Sequence, residues 1–351
     1  MKKGWQTKKL GEVATLQRGF DLPTQDRVSG DVPLVTSSGI TDTHNKIAVR
    51  GPGVATGRSG SIGNVFFIED DFWPLNTVLY VKDFHGNDPR FVFHLLKDFD
   101  LKRFATGSGV PTLNRNFVHD ELVNVPPLAE QQRLVDLLDE AFEGIATAKA
   151  NAEKNLQNAR ALFESHLQSV FTQRGKGWVE KTFEMCIEDV KYTTKIQRKE
   201  FLEEGEFPIV SQEAEFTNGY WDNAADVFKV TRPIVIFGDH TQVLKYIDFD
   251  FVLGADGVKL LLPKPFLNPK FFFYALRSAP LKSLGYARHY RLLKKLQIGY
   301  PDANAQAAIA KKLDALSEET QRLARLCEQK LAALEALKKS LLHEAFTGQL
   351  Q

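Results

Sequence analysis

The chain has 351 residues, 43% of them hydrophobic and 25% charged, which indicates a folded protein of two or three domains and excludes a mainly disordered chain. Two cysteines, Cys186 and Cys327, are too few for a disulfide framework. Because 45 basic residues balance 44 acidic ones, any binding of DNA requires clustered basic residues or a partner that adds positive charge. The sequence shows no membrane-spanning apolar run and no signal peptide, so we predict a cytoplasmic protein without membrane contact.

Residues 1–126 predict a first domain of short strands. Its β-like runs are separated by Gly, Pro and Asp turns and lie at 32–37, 65–68 and 77–81. The segment GPGVATGRSGSIGN (51–64) combines glycines, which let a backbone approach DNA closely, with hydrogen-bond donors. The alternative for this segment is a Gly-rich hairpin with a solvated arginine. Its candidate contact residues are Arg58, which could pair with guanine through two nitrogens, Ser59, Ser61 and Asn64.

Further candidates in this domain come from loops. Asn114 and Arg115 lie in TLNRN (112–116), which could instead position the domain against phosphate or a partner protein. Basic or imidazole side chains on other predicted loops are Arg18, His44, Lys46 and Arg50.

Residues 127–172 predict one long helix. Apolar or small residues recur in alternating steps of three and four from Leu134 to Val170, as in a coiled-coil seam. One extra step of four, from 152 to 156, is typical of a stutter.

Residues 173–300 predict a second domain with three polar segments. Basic and aromatic residues alternate in VKYTTKIQRKE (190–200) and in YARHYRLLKK (286–295), a pattern that favours nucleic-acid binding over its alternative, a solvated basic face. FGDHTQV (237–243) places polar side chains on a predicted turn. The candidate contact residues are Lys191, Lys195, Arg198, His240, Gln242, Arg288, His289, Tyr290 and Arg291.

Residues 301–351 predict a second long helix. Asp302 is positioned to cap its first turn, and the seam runs from Ile309 to Ala345 with a stutter at the matching place, 327 to 331. Leu323 is assigned to this seam, followed by Cys327 as a packed thiol, and either Leu337 or Lys338 fills a later position.

The two halves of the chain repeat each other. A shift of 175 places Gln131 on Gln306 and Leu138-Asp139 on Leu313-Asp314, and DPRFVFHLL (88–96) matches NPKFFFYAL (268–276) at a shift of 180. Since both helices carry equal stripes and each leads toward the other domain, we expect them to pair antiparallel.

This order resembles the specificity subunits of type I restriction–modification systems. GSGVPTLNRNFVHDELVNVPPLAEQQRLVDLLD (107–139) is similar to the family's junction between domain and helix. The second copy, RHYRLLKKLQIGYPDANAQAAIAKKLD (288–314), lacks the Gly-Ser loop, the Pro-Pro pair and the Glu-Gln pair. The resemblance implies an α+β chain: two α/β target recognition domains separated by two long antiparallel helices that form a coiled coil, with a pseudo-twofold internal repeat.

The resemblance also implies a function. Each recognition domain reads half of a split, asymmetric site in double-stranded DNA, and the helices fix the gap between the halves. Two methyltransferase subunits dock on the chain and methylate adenine with S-adenosylmethionine, and restriction subunits that use ATP and Mg²⁺ join in complexes that cut DNA. The chain itself is then expected to bind no cofactor and no metal and to be no enzyme.

Two other functions stay open at the level of sequence. The first is an enzyme that itself methylates or cuts DNA. The sequence argues against this function, because it lacks an Asn-Pro-Pro-aromatic stretch, a Rossmann fingerprint, a Walker motif and a nuclease-like carboxylate–lysine cluster. The second is a coiled-coil adaptor or scaffold that does not bind DNA.

Overall fold

The computed structural model describes residues 4–107, 111–255, 257–282, 284–285 and 287–350. The chain divides into two compact units: unit 1 comprises Met1–Glu153 and Glu328–Gln351, and unit 2 comprises Lys154–Cys327. Each unit therefore contains one strand-rich domain and a part of both long helices.

Unit 1 is built on two main sheets. Its strands are β1 Gln6–Lys9, β2 Thr15–Arg18, β3 Val32–Thr36, β4 Gly39–His44, β5 Gly53–Gly57, β6 Val65–Ile68, β7 Trp73–Pro74, β8 Val78–Asp83, β9 Ala105–Thr106, β10 Thr112–Leu113 and β11 Leu122–Val125, and its short helices are α1 Pro89–Asp98 and α2 Arg115–His119. One sheet has the order β2-β8-β5-β6 and the other β4-β3-β7, with β3 parallel to β7. The three predicted β-like runs are confirmed as β3, β6 and β8.

Unit 2 repeats this plan. The remaining elements are α3 Leu128–Thr172, β12 Val179–Thr182, α4 Phe183–Cys186, β13 Ile187–Glu188, β14 Lys195–Ile196, β15 Phe207–Val210, β16 Gly219–Trp221, β17 Val227–Phe228, β18 Ile234–Gly238, β19 Leu244–Ile247, β20 Phe251–Gly254, β21 Val258–Pro263, α5 Pro269–Ser278, α6 Tyr290–Leu293, β22 Gln297–Tyr300 and α7 Ala303–Thr347. One sheet has the order β13-β21-β18-β19, and the other β14-β20-β15-β16 with β17 also paired to β20. The hairpin β18–β19 thus corresponds to β5–β6, and the parallel pair β15–β20 to β3–β7.

Each domain begins and ends on neighbouring strands. In unit 1, β1 pairs antiparallel with β11, which places Gln6 opposite Val125. In unit 2, β12 pairs antiparallel with β22, which places Val179 opposite Tyr300. The chain therefore leaves each domain beside the point where it entered, directly before a long helix.

The two long helices, α3 and α7, are confirmed; α3 begins one residue later than predicted, and α7 begins two residues later and ends at Thr347. The predicted N-cap of α7 is confirmed. The Asp302 side chain accepts, through Oδ1, from Asn304 N at 2.9 Å and from Ala305 N at 3.0 Å. Within the described ranges, no helix carries the long apolar stretch that crossing a bilayer requires.

The helices pack against each other in an antiparallel sense within each unit. In unit 1, Leu134 and Leu138 near the start of α3 share a core with Leu342 and Phe346 near the end of α7. In unit 2 the ends are exchanged, since Phe163 and Leu167 of α3 share a core with Ala310 and Leu313 of α7.

The predicted seam is confirmed in α3 and corrected at one position in α7. Every seam position named for α3 is buried or half-buried. In α7, Leu323 is 37% exposed and the half-buried residue is its neighbour Ala324, so the assignment of Leu323 was wrong. Lys338 occupies the ambiguous position, with its ammonium 5.0 Å from the centre of the Phe142 ring, whereas Leu337 is 46% exposed.

The repeated glutamines join each domain to the helix that follows it. Gln131 is 2% exposed, and its Oε1 accepts from Asp88 N at 2.9 Å, at the N-cap of α1. Gln306 is 1% exposed, and its Oε1 accepts from Asn268 N at 2.8 Å, at the N-cap of α5. In both cases the amide nitrogen donates to the carbonyl of the proline before the long helix. The internal repeat is therefore one of tertiary contacts as well as of sequence.

A second repeated contact lies about two turns further along each helix, eight residues after the glutamine. Asp139 accepts from His94 Nε2 at 2.9 Å, and Asp314 accepts from the Tyr274 hydroxyl at 2.6 Å. Burial lowers the pKa of His94 and raises that of Tyr274, so both side chains stay uncharged near neutral pH. Each is then a neutral donor to a carboxylate on the long helix.

Candidate nucleic-acid interface

Unit 1 brings four of the predicted contact residues together. A cavity of about 340 Å³, here called cavity 1, lies beside the turn between β5 and β6, and Arg18, Arg58, Asn114 and Arg115 are among its lining residues. These residues come from β2, from the β5–β6 turn and from the start of α2, so they meet only in the folded domain. Three arginines around one open cavity form a local positive cluster in a chain of nearly zero net charge.

Arg58 is held rigidly by backbone contacts. It follows Gly57, whose hydrogen could not be replaced by a methyl group because a Cβ there would lie 2.0 Å from the carbonyl oxygen of Ser61. Its amide donates to the carbonyl of Thr77 at 2.8 Å, and its own carbonyl accepts from Leu113 N at 2.7 Å. The guanidinium also donates to the carbonyl of Asn76 at 3.4 Å. The backbone of Arg58 is therefore held in place at the lining of cavity 1, whereas its guanidinium makes one long hydrogen bond.

Arg18 and Arg115 are exposed at the edges of cavity 1. Arg18 pairs with Asp21 at 2.7 Å, and hydrogen bonds to Asp21 from Asn76 and from Arg18 hold the pKa of that carboxyl below its usual value. Asn114 caps α2 by accepting from Asn116 N at 3.0 Å. Asn114 therefore shapes the cavity and also lines it.

The remaining unit 1 candidates differ in access. Ser59 and Ser61 are half-buried in the β5–β6 turn, and Asn64 and Lys46 are exposed outside the lining of cavity 1. His44 is 3% exposed and packs edge-on against Trp73, so it is a core side chain. Ser108 and Gly109 of the Gly-Ser loop lie outside the described residues.

Unit 2 has a cavity at the corresponding hairpin. This cavity, here called cavity 2, measures about 560 Å³ and lies beside the turn between β18 and β19. Its lining residues are Lys195, Gln212, Asp239, His240, Gly257, Lys259 and Arg288. Three of them, Lys195, His240 and Arg288, were predicted from the sequence. Gln212, Asp239 and Lys259 were missed as contact candidates, although a lysine inside the apolar strand VKLLLP (258–263) was a signal that could have identified Lys259.

The two cavities are built in the same way. Gly238 ends β18 as Gly57 ends β5, and a Cβ at Gly238 would lie 2.2 Å from the Thr241 hydroxyl. The carbonyl of Asp239, the next residue, accepts from His289 N at 2.7 Å, as the carbonyl of Arg58 accepts from Leu113 N. Equivalent backbone positions thus carry a guanidinium in unit 1 and a carboxylate in unit 2.

His289 is part of this framework. It is 1% exposed, its Nε2 accepts from Leu284 N at 3.0 Å, and its Nδ1 therefore carries the proton and donates to the carbonyl of Asp239 at 3.0 Å. Both ring nitrogens of His289 are therefore engaged inside the domain. Tyr290 is half-buried, its amide donates to Asp239 Oδ1 at 2.7 Å, and burial raises the pKa of its hydroxyl.

The other unit 2 candidates are not among the lining residues of cavity 2. Arg291 and Lys191 are exposed, and Arg198 pairs with Glu213 at 2.8 Å. Gln242 has a φ of 60° in the β18–β19 turn and lines a different cavity, of about 270 Å³. Tyr286, the first aromatic residue of the 286–295 segment, lies outside the described residues.

Comparison with known proteins decides the family. The model of the type I restriction modification DNA specificity domain matches residues 2–157 and again residues 180–335. The chain belongs to this family.

Two solved structures share the fold of this chain. A chain from a structure of the assembly and conformational transition of the type I R-M system aligns over 99% of both chains, with a TM-score of 0.79 and 19% identity. The HsdS subunit from Thermoanaerobacter tengcongensis aligns over 100% of this chain and 98% of that one, with a TM-score of 0.63 and 19% identity. Both confirm the expected architecture of two recognition-domain-like regions with packed long helices.

A curated relative is similar over a shorter stretch. A Haemophilus influenzae protein that carries the name of a type I restriction enzyme specificity subunit is 26% identical over 138 residues, which is 38% of this chain and 36% of that protein. The match therefore spans about a third of the relative's length.

Proposed function

We propose that the chain is the subunit that selects the DNA sequence in a type I restriction–modification complex. Each unit reads one half of a split, asymmetric site in double-stranded DNA, with cavity 1 facing one half and cavity 2 facing the other. The helix pair, which continues from one unit into the next, sets the number of base pairs between the halves. Methylation of adenine and DNA cleavage are carried out by methyltransferase and restriction subunits, which bind S-adenosylmethionine, ATP and Mg²⁺.

The observation that carries this proposal is the equivalence of the two cavities. Two hairpins at the same place in a repeated fold present basic side chains, but the residues differ: Arg18, Arg58 and Arg115 at cavity 1, and Lys195, Lys259 and Arg288 at cavity 2. Basic side chains around a polar cavity are suited to a duplex, since they contact phosphates and base edges. Different side chains on one framework are what two different half-sites require.

Apolar side chains on the long helices support docking of two methyltransferase subunits. Outside the seam, Leu162, Leu326 and Leu337 are 52%, 48% and 46% exposed. A methyltransferase subunit that packed on these faces of the helices would remove the three side chains from water, which favours association.

The experiment is to map methylated adenines in cells that carry the chain with its methyltransferase subunits. Arg58→Ala should relax or lose the base requirement in one half of the motif, and Arg288→Ala should do so in the other half, with the gap unchanged. Each substitution is expected to cost about 1–3 kcal/mol of binding free energy.

Lys9→Ala in unit 1 and Lys229→Ala in unit 2 are matched controls, because both are exposed basic residues outside the cavities. Neither should change the motif. A complex whose methylation shows no split motif at all would contradict the proposed function.

A further inference from the structure

Unit 2 has a longer connection than unit 1 between two equivalent strands. Ile209 lies opposite Gly219 as Leu34 lies opposite Asp42, so residues 211–218 of unit 2 stand where unit 1 has residues 36–41. In unit 1 this stretch continues the β3–β4 hairpin as far as the pair Thr36–Gly39, whereas residues 211–218 form an irregular loop between β15 and β16. We call residues 211–218 the insert loop. The equivalence holds because Pro33-Leu34-Val35 aligns with Pro208-Ile209-Val210, and because β3 lies parallel to β7 as β15 lies parallel to β20.

A buried lysine holds the insert loop. Lys245, in β19, is 3% exposed. Its ammonium donates to the carbonyl of Glu215, to the carbonyl of Phe216 at 3.3 Å and to Asn218 Oδ1 at 3.2 Å. The same Asn218 oxygen accepts from Ser211 N at 2.8 Å, which ties the end of the loop to its beginning. A buried ammonium is costly unless every proton has an acceptor, so its three partners explain why a lysine is tolerated here.

Unit 1 has an aromatic residue in the place of this lysine. The strand registers pair Ile236 with Lys245 in unit 2 and Ala55 with Phe66 in unit 1. The Phe66 ring lies beside Gly39, 3.4 Å from the position of a Cβ there, where the short link of unit 1 ends. In unit 1, the Phe66 ring thus packs against the short turn. In unit 2, the longer loop directs carbonyl groups inward, and the Lys245 ammonium binds them.

The insert loop is attached to the wall of cavity 2. The carbonyl of Gln212 accepts from the Thr241 hydroxyl at 2.5 Å, and Gln212 Oε1 accepts from His240 N at 3.2 Å. Both partners lie in the β18–β19 turn, and Gln212 itself lines cavity 2. Glu213, next in the loop, pairs with Arg198 at 2.8 Å. Lys245 therefore holds the insert loop, and the insert loop in turn holds the β18–β19 turn, which contains His240.

We propose that the insert loop, which is two residues longer than its unit 1 counterpart and lacks that counterpart's strand pairing, is a reading element for the second half-site, and that Lys245 is its positioning residue. The inference rests on the proposed function of the chain. Gln212 places the loop at the lining of cavity 2, and an amide side chain there is of the type that pairs with the edge of adenine.

The test uses the complete chain assembled with its methyltransferase subunits. Methylation rates are compared on a matched duplex, on one with a base pair changed in the first half-site and on one with a base pair changed in the second. Lys245→Met should reduce discrimination at the second half-site by about ten-fold and leave the first unchanged. Lys245→Arg, which keeps a cation with several donors, should restore part of the loss, and Lys229→Met is the exposed-lysine control.

A second variant covers the case in which Lys245→Met does not fold. It replaces residues 211–218 with residues 36–41 of unit 1 and carries Lys245→Phe, so that the transplanted segment keeps the aromatic ring that contacts it in unit 1. This variant should fold, keep the first half-site and lose discrimination at the second.

The outcomes separate the two proposals. If the unaltered complex discriminates at both half-sites but the loop-shortened chain or a folded Lys245→Met chain does so equally well, the insert loop does not read DNA. If Lys245→Met weakens both half-sites to the same extent, Lys245 is merely structural. If the unaltered complex shows no preference at either half-site, the proposed function itself fails.

Discussion

At the scale of single residues, buried polar side chains organise the domains. Lys245, His289, Gln131 and Gln306 are each at most 3% exposed, and each binds backbone groups that would otherwise be unpaired. Removing one partner of such a contact costs the desolvation of the group left behind, which exceeds the net gain from an average hydrogen bond. These residues therefore determine where the exposed contact residues lie.

The ionisation of Lys245 gives stability a pH dependence with a definite sign. Burial lowers the pKa of Lys245 from 10.5 to about 8. Between these values the unfolded chain binds a proton that the folded chain has lost, so the unfolding free energy should rise with pH across this window, by up to about 1.4 kcal/mol per pH unit. Below about pH 8 both states are protonated and this dependence should vanish.

The measurement is denaturant unfolding from about pH 7 to about pH 10 for the chain and for Lys245→Met. The difference in unfolding free energy between the two should shift in favour of the lysine as pH rises above about 8. Lys229→Met, an exposed lysine, gives the background. A difference that does not vary with pH would show that Lys245 is not titrating in this window.

At the scale of elements, the same contacts join each domain to its long helix. Helix α1 meets α3 through Gln131 and Asp139, and α5 meets α7 through Gln306 and Asp314. Each glutamine binds both the N-cap residue of a short helix in the domain and the proline that precedes the long helix. These two contacts fix the orientation of the domain relative to the start of its long helix. This arrangement explains why the sequence repeats most clearly at these positions.

Loss of the glutamine joint should destabilise unit 1 directly. Gln131→Ala leaves Asp88 N and the Pro126 carbonyl without their partner and is expected to cost about 2–3 kcal/mol of unfolding free energy. Its neighbour Gln132 is exposed, so Gln132→Ala is a matched control with an expected change within about 0.5 kcal/mol. Equal losses of unfolding free energy in the two variants would show that the contacts of Gln131 do not stabilise unit 1.

At the scale of the whole molecule, each domain is connected to the rest of the chain at one place. Since Gln6 lies opposite Val125, and Val179 opposite Tyr300, the chain enters and leaves each domain through one pair of strands. The unit 1 core also includes Leu342 and Phe346 of α7, so both long helices contribute to it. A near-neutral chain with local basic clusters also suits a subunit that binds DNA tightly only when partners enclose the duplex.

Replacing residues 1–125 with those of another family member should change only one half of the methylated motif. The junction follows Val125 at the end of β11, so the β1–β11 pair is exchanged as a whole and Gln131 and α3 stay intact. The motif is read by mapping methylated adenines in cells with the exchanged chain. A change in both halves would contradict independent reading by the two domains.

The sequence alone determined the repeat, both long helices, the three strands β3, β6 and β8, and the cap at Asp302, because each depends on periodicity or on neighbours within a few residues. The tertiary structure decided which polar residues meet. Asp239 lies 50 residues from His289, and Lys245 binds carbonyls about 30 residues away, so no local pattern could show that one histidine is buried or that a strand lysine holds a loop. Cavity 1 gathers Arg18, Arg58 and Arg115 from three separate elements for the same reason: contacts between distant segments depend on how the strands pair, and pairing is set by the packing of the whole domain.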